Sequence, residues 1–249
     1  MAFRGFSVAL LGSLVAGSMV LGGGVTLATN PPTSGDSPVP SRATAATSGD
    51  RDGADPYLAP SGNGGIDVQH YNLRLRYAPQ SHGIAKARVR LNITALHGLD
   101  SFSLDAREGL RISQVRVSGR VAKYRRNGRN VVISGFPEIA SGDTFKVVLR
   151  YSGTPKAITD GSGREEYGWL RTPGGAVTFT EPTGTSAWVP SNDVFYDKAT
   201  WRTTLVTPRG LLGVSTGELL KLKKRKKRTV SSWRTREPIQ PYTQTVAID

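Results

Sequence analysis

The chain has 249 residues, and 33 Lys and Arg against 19 Asp and Glu give it a formal net charge of +14. It has no cysteine, which excludes disulfides, thiolate metal sites and cysteine nucleophiles. Only three histidines, His70, His82 and His97, are available for acid–base or zinc chemistry.

The first 28 residues have the pattern of a secretory signal peptide. Arg4 precedes an uncharged, largely apolar run over residues 5–28, which ends in Thr26-Leu27-Ala28. The run is also longer than the ~20 residues that span a membrane, so a retained N-terminal membrane anchor is the alternative. The sequence therefore predicts a secreted or cell-surface protein.

Residues 29–55 are predicted to be a disordered linker, because Ser, Thr, Pro and Gly dominate them. A segment of that composition buries too little apolar surface to offset the entropy cost of ordering the chain. Residues 56–249 remain for one folded domain, which is large enough to form a hydrophobic core without disulfides.

Apolar and polar residues alternate with a period of two from residue 56 onward, which predicts β-strands with one solvated face. One strand is expected to bury Tyr71, Leu73, Leu75 and Tyr77, and the next to bury Ala85, Ala87, Val89, Leu91 and Ile93. Asn127-Gly128 predicts a tight hairpin turn. No window shows helical periodicity. The predicted fold is all-β, an antiparallel β-sandwich.

Short motifs follow one another in a fixed order in the second half of the domain. They are Glu181-Pro182, Trp188-Val189-Pro190, Asn192-Asp193, Asp197-Lys198-Ala199-Thr200-Trp201 and the segment 207–219. This series resembles the N-terminal β domain of the aminopeptidase N family, the zinc gluzincin metallopeptidases. The tyrosine-rich strand 71–77, the alternating strand 84–96 and Leu104-Asp105 also occur where that family has them. The resemblance covers roughly residues 56–249 and implies saddle-like β-sheets.

The resemblance implies that Glu181 faces the α-ammonium group of a peptide substrate. A charge-assisted hydrogen bond of that kind contributes about 1.5–3 kcal/mol. The alternative is an exposed turn residue before Pro182 with no such role. Two positions depart from the family pattern, since Phe179 stands where many members have Gln and Phe195 where they have Pro.

The family's H-E-x-x-H zinc motif and its G-A-M-E-N segment do not occur in this sequence. The sequence therefore predicts no catalytic residue, no metal ligand and no cofactor in this chain, with zinc belonging to the full-length family. The chain is expected to be truncated before the catalytic domain and inactive alone. The terminal strand 243–248 is expected to have an unpaired edge.

Other conspicuous residues are interpreted as structural. Asp193 and Asp197 are expected to supply a buried cap of the loop and a salt bridge with Lys198, in preference to an acid–base pair. The three histidines are expected at the surface or at strand edges. Core packing is predicted for the four tryptophans, Trp169, Trp188, Trp201 and Trp233.

A run of seven positive charges lies near the end of the chain. Its members are Lys221, Lys223, Lys224, Arg225, Lys226, Lys227 and Arg228. One interpretation is a solvated hairpin loop. The other is attachment to an anionic cell-wall polymer or lipid surface. No aromatic residue interleaves the run to stack on bases, so specific nucleic-acid recognition is not expected.

Two functions remain open at this point. The first is the N-terminal, substrate-amine-side domain of a secreted zinc aminopeptidase that removes N-terminal residues from peptides. Its partner would be a peptide amino terminus once a catalytic domain is supplied. The alternative is a free-standing secreted β-sandwich that binds anionic cell-surface polymers.

Overall fold

The structure is a computed structural model that describes residues 47–50, 53, 61–159, 163 and 166–249. The predicted signal peptide and most of the predicted linker lie outside these residues. The strands are β1 Thr47–Ser48, β2 Ile66–Ala78, β3 Gly83–Ala95, β4 Leu99–Asp105, β5 Leu110–Val117, β6 Arg120–Val121, β7 Lys123–Asn127, β8 Asn130–Ile139, β9 Thr144–Gly153, β10 Ala157–Thr159, β11 Glu166–Arg171, β12 Ala176–Phe179, β13 Thr200–Pro208, β14 Gly213–Ser215, β15 Glu218–Lys224, β16 Arg228–Arg234 and β17 Val246–Ile248. Short 3-10 turns occur at Pro79–Ser81, Thr185–Ala187 and Pro241–Thr243.

The strands form three sheets, which confirms the all-β prediction. An eight-stranded sheet has the order β15-β16-β13-β2-β3-β9-β5-β6, a five-stranded sheet has β10-β11-β12-β17-β14, and a four-stranded sheet has β1-β4-β8-β7. One hydrophobic cluster takes side chains from all three sheets, for example Leu73, Phe102 and Ile248. No helix among the described residues is long and apolar enough to cross a membrane.

Two strand pairs depart from the antiparallel prediction. The pairs β2–β13 and β1–β4 are parallel, while the other pairs are antiparallel. A parallel pair needs a long crossover connection, and more than a hundred residues separate β2 from β13. Local alternation of residue types reveals a strand but not the direction of a partner so far along the chain.

The central strands β2 and β3 follow the predicted alternation with one correction. Tyr71, Leu73, Leu75 and Tyr77 are buried as predicted. Ala85 is exposed, and Ile84 takes its place in the core. The pairing of β3 with β9 shifts between Ile84 and Ala87, and such a bulge moves the alternation by one residue.

The predicted hairpin joins β7 to β8, but its turn lies one residue further along. Asn127 pairs with Asn130, so Gly128 and Arg129 occupy the two turn positions. Gly128 has a φ of 57°, a conformation that the first position of a tight hairpin turn requires and that glycine adopts without a steric cost.

Two further expectations are corrected by the pairing of short strands. Thr47 and Ser48, inside the predicted linker, pair with β4, so paired backbone occurs before the predicted boundary at residue 56. The terminal strand β17 lies between β12 and β14, so both of its edges are paired and the predicted free edge is wrong.

The predicted core packing of the tryptophans holds for three of the four. Trp169, Trp188 and Trp201 are buried as predicted, whereas Trp233 is only half-buried.

Candidate functional site

Glu181 lies in a tight loop that directly follows β12. The backbone N–H of Gly184 donates to the carbonyl oxygen of Thr180 over 2.7 Å, which closes the loop. The Thr185 hydroxyl donates to the carbonyl oxygen of Pro241 over 2.8 Å, and the Thr180 hydroxyl donates to that of Tyr242. The loop is therefore fastened to the 3-10 turn near the end of the chain.

The Glu181 side chain is exposed on this fastened loop. Among the residues that the structure describes, no cation forms a salt bridge with it. Phe179 and Phe195, the two departures from the family pattern, are exposed as well, by 57% and 44%. A carboxylate held by a fixed backbone and lacking an internal counter-charge can accept a cation from outside.

Most of the motif residues between Trp188 and Trp201 are buried and have a structural role. Trp201 stacks on Tyr71 with ring centroids 3.9 Å apart. The Tyr71 hydroxyl accepts a hydrogen bond of 3.0 Å from the backbone N–H of Asn192. The side-chain oxygen of Asn192 accepts the N–H of Asn63 over 2.6 Å. These contacts fasten the loop after Trp188 to the start of β2.

Asp105, at the end of β4, is the centre of this buried network. Its Oδ2 accepts hydrogen bonds from the Gly62 N–H, the Asn63 side-chain amide and the Asp193 N–H, over 3.0 to 3.1 Å. The Arg129 guanidinium lies 3.6 Å from its Oδ1. Burial, with the nearby Asp193 carboxylate, raises the pKa of Asp105 from 3.8 to about 7.

Asp193 and Asp197 are both buried, which raises the pKa of each carboxyl group above its usual value. Asp193 accepts the N–H of Ser186 over 2.9 Å, so the predicted loop cap is confirmed. The predicted salt bridge with Lys198 is wrong. Asp197 instead accepts the Val68 N–H over 3.1 Å and the side-chain amide of Asn192, because the carboxylate points into the fold.

The three histidines are not clustered, and each ring makes its own hydrogen bond within the fold. His70 Nδ1 is 2.8 Å from the Thr200 hydroxyl, His82 Nδ1 donates to the Gly175 carbonyl over 2.9 Å, and His97 Nδ1 donates to the Gly98 carbonyl over 2.9 Å. No group of three or more His, Asp or Glu in the described part of the chain is arranged to hold a metal ion. These residues do not fit a catalytic zinc, which needs three protein ligands.

The basic run forms the turn end of the β15–β16 hairpin, which we call the basic hairpin (residues 218–234). Only residues 225–227 lie in its turn, while Lys221, Lys223 and Lys224 belong to β15 and Arg228 begins β16. The prediction of a loop is therefore corrected to a two-stranded ribbon with a short turn. The neighbouring charges of Lys221 and Arg225 lower the pKa of Lys223.

Sequence reasoning missed how the outward-facing arginines of the eight-stranded sheet are placed. Arg74 on β2 lies directly opposite Arg88 on β3, and Arg88 lies opposite Arg150 on β9. The alternation of residue types showed that Arg74 and Arg88 face solvent. The register that aligns them with Arg150 depends on pairing between strands about sixty residues apart, which no local pattern contains.

The fold is similar to that of solved zinc aminopeptidases. The M1 zinc metallopeptidase from Deinococcus radiodurans is 26% identical to this chain, with a TM-score of 0.71, and the match covers 77% of this chain and 44% of that chain. Two further solved structures share the fold. Legionella pneumophila aminopeptidase A is 16% identical with a TM-score of 0.61, and the match covers 74% of this chain and 21% of that chain. Yeast LTA4 hydrolase is 20% identical with a TM-score of 0.58, and the match covers 74% of this chain and 29% of that chain. No protein-family model and no curated protein matches the chain.

The recognition made from the motif series is thereby confirmed: this is an M1 aminopeptidase-like β domain. Coverage of 77% of the chain is consistent with an N-terminal domain of that family. The chain spans less than half the length of the Deinococcus protein that it matches.

Proposed function

We propose that this chain is the substrate-amine-side domain of a secreted zinc aminopeptidase that removes N-terminal residues from peptides. The observation that carries the proposal is Glu181, an exposed carboxylate without a salt bridge among the described residues, on a loop fastened at both ends. A solved structure of the Deinococcus radiodurans protein bound to a Tyr-Ser-Ala substrate supports a ligand with a free amino group. Solved structures of a two-domain M1 zinc metallopeptidase bound to L-arginine and to L-tryptophan support the same ligand class.

Glu181 positions a substrate and performs no bond-breaking step. A carboxylate accepts hydrogen bonds from an ammonium group and so fixes the amino end of a peptide. It cannot polarise the scissile carbonyl from that place, and no zinc site fits the described residues. The chemistry would come from a catalytic domain supplied with this one, so the chain alone is expected to be inactive.

The amine-binding role is tested by titrating the labelled chain with Tyr-Ser-Ala and with its N-acetylated form while recording backbone amide spectra. Only the free-amine peptide should shift the amide signals of Thr180, Glu181, Thr183 and Gly184. Glu181→Gln should abolish that shift, and Glu138→Gln, an exposed carboxylate on β8, should leave it unchanged. Equal shifts with both peptides, or with Glu181→Gln, would overturn the assignment.

Inactivity of the isolated chain is tested with aminoacyl anilides after dialysis against zinc. We expect no turnover and no stoichiometric zinc by metal analysis, because the described histidines are far from one another and locally bound. A turnover that a chelator abolishes would show that a metal site forms from residues assigned here to structure.

A second candidate function is binding to anionic cell-surface polymers through the basic hairpin. The observation in its favour is the imbalance of charge: Glu218 pairs with Arg234 and Arg236 over 3.4 and 3.0 Å, while none of the seven cations of the run has a salt bridge among the described residues. Replacing those seven with Ser should weaken retention on heparin, and the loss should shrink as salt is raised. Unchanged retention would exclude the hairpin.

Both functions place the protein outside the cell, and export is part of the proposal. It is supported by the apolar run of residues 5–28 after Arg4. Sequencing of the exported protein should give an amino terminus near residue 29. A mature chain that begins at Met1 or Ala2 would favour the retained membrane anchor.

A further inference from the structure

The face of the eight-stranded sheet that points away from the hydrophobic core is strongly basic, and we call it the open face. On β2, Leu73 and Leu75 are buried. Arg74, which lies between them, and Arg76, which follows Leu75, are exposed. On β9, Leu149 is buried and Arg150 is exposed. The same alternation therefore builds a core on one side and collects cations on the other.

The strand register brings these cations opposite one another. Arg76 pairs with Lys86, Arg74 with Arg88, and Arg88 with Arg150. Neighbouring strands are about 4.8 Å apart, and like charges directly opposite destabilise a sheet. No salt bridge in the described part of the chain involves any of the five residues. The repulsion is thus uncompensated within the described structure.

The cations surround a cleft of about 400 Å³. Its charged lining consists of Arg74, Arg76, Lys86, Arg88, Arg150 and Arg228. An adjoining groove of about 720 Å³ shares Arg76, Val206 and Arg228 with the cleft and reaches the turn of the basic hairpin at residues 225–227. Neither lining includes an acidic residue. Together the two form one cationic track.

The length of the cationic track follows from the strand order. It crosses β9, β3, β2, β13 and β16, which are consecutive neighbours in the sheet. Four spacings of about 4.8 Å give about 19 Å across the strands from β9 to β16, enough for several repeating units of a linear polymer. The track is therefore too long for one small anion and suits a chain of regularly spaced charges.

We propose that the cationic track binds a linear phosphate polymer built on sugar or polyol units, which lies across the strands. Five of the six charged residues of the cleft are arginines, whose planar fork binds phosphate oxygens in pairs. The one aromatic residue that lines the track, Tyr77, is buried, so no exposed ring is present there for nucleobases to stack on. This inference rests on the second candidate function for its ligand class but places the binding residues on the sheet.

The test measures the affinity of the full chain for poly(glycerol phosphate) at 0.15 M salt, with heparin and oligodeoxythymidylate as comparison polymers. The cleft variant carries Arg74→Gln, Arg88→Gln and Arg150→Gln. The matched control carries Arg120→Gln, Lys123→Gln and Arg125→Gln, exposed cations of β6 and β7 that lose the same charge. A hairpin variant carries Arg225→Gln, Lys226→Gln and Lys227→Gln. Thermal unfolding verifies that each variant folds.

We expect the cleft variant to lose at least about tenfold in affinity, because three phosphate contacts are removed, and the control to lose less than about twofold. Equal losses in the cleft variant and the control would show attraction by net charge alone and overturn the site. If only the hairpin variant loses affinity, the second candidate function stands and this inference fails. If the wild-type chain binds none of the polymers, both fail. Tighter binding of heparin or of the oligonucleotide would overturn the phosphate polymer as occupant.

Discussion

The buried carboxylates and the open face are two clusters of like charge in one domain, and they differ in the source of their partners. Asp105, Asp193 and Asp197 each accept backbone or amide hydrogen bonds from the fold itself. The arginines of the open face lie opposite one another without a salt bridge in the described structure. The first cluster takes its hydrogen-bond donors from within the fold, whereas the second gains its counter-charges from outside.

The largest effect is expected from breaking the carboxylate cluster at its centre. Asp105→Ala removes the acceptor of three buried donors and the partner of Arg129. Leaving such groups unpaired should lower the free energy of unfolding by about 3–5 kcal/mol. Asp143→Ala, at an exposed turn, is the control and should change it by less than about 0.5 kcal/mol. Urea denaturation measures both, and a loss below about 1 kcal/mol for Asp105→Ala would contradict the role assigned to the cluster.

The sequence predicted which strands form and which of their faces are buried, but not the hydrogen bonds that join the buried carboxylates to the rest of the fold. Alternation of residue types revealed the strands and their buried faces, because each strand contains that information itself. The donors to Asp105 come from residues 62, 63 and 193, and only the three-dimensional fold brings them together. The family resemblance pointed to Glu181 and its neighbours. It did not contain the register of Arg88 with Arg150, which depends on the pairing of β3 with β9.

The next effect is a dependence of stability on pH. The pKa of Asp105 is about 7 in the folded state against 3.8 ordinarily, so the folded state binds this proton more tightly than the unfolded state. Its stabilising effect is full below about pH 4 and is lost as pH rises through about 7, and each unit of pKa corresponds to about 1.4 kcal/mol. The free energy of unfolding should therefore fall between pH 5 and pH 8.

This pH dependence is measured by urea denaturation at fixed ionic strength. Asp105→Asn cannot titrate and should flatten the fall, although Asp193 and Asp197, whose pKa values are also raised, should retain part of it. A free energy of unfolding that rises from pH 5 to pH 8 would show that the hydrogen bonds to the ionised carboxylates outweigh the cost of burying them.

A smaller effect is expected from the Tyr71 hydroxyl, which joins the carboxylate cluster to the core. Tyr71→Phe keeps the ring that stacks on Trp201 but leaves the buried N–H of Asn192 without its acceptor. The expected loss is about 1–2 kcal/mol in the free energy of unfolding. Tyr124→Phe also removes a hydroxyl, which donates to the Ile112 carbonyl over 2.9 Å, but water can replace this exposed contact, so the cost should be less than about 0.5 kcal/mol. Similar losses for the two variants would mean that the Asn192 contact adds nothing to stability.

The smallest effect has the opposite sign and concerns the open face. Arg88 lies between Arg74 and Arg150, so Arg88→Glu replaces two like-charge pairs with two opposite-charge pairs. Each such pair changes stability by about 0.2–1 kcal/mol, and the melting temperature should rise at low salt. The gain should disappear at 1 M salt, where the screening length is about 3 Å. Arg88→Gln, which removes the repulsion without adding attraction, should give about half the gain.

A loss of stability in both Arg88 variants would show that packing of the arginine stem outweighs its charge. A gain in stability accompanied by weaker polymer binding would show that the domain keeps an arginine there at the expense of its own stability.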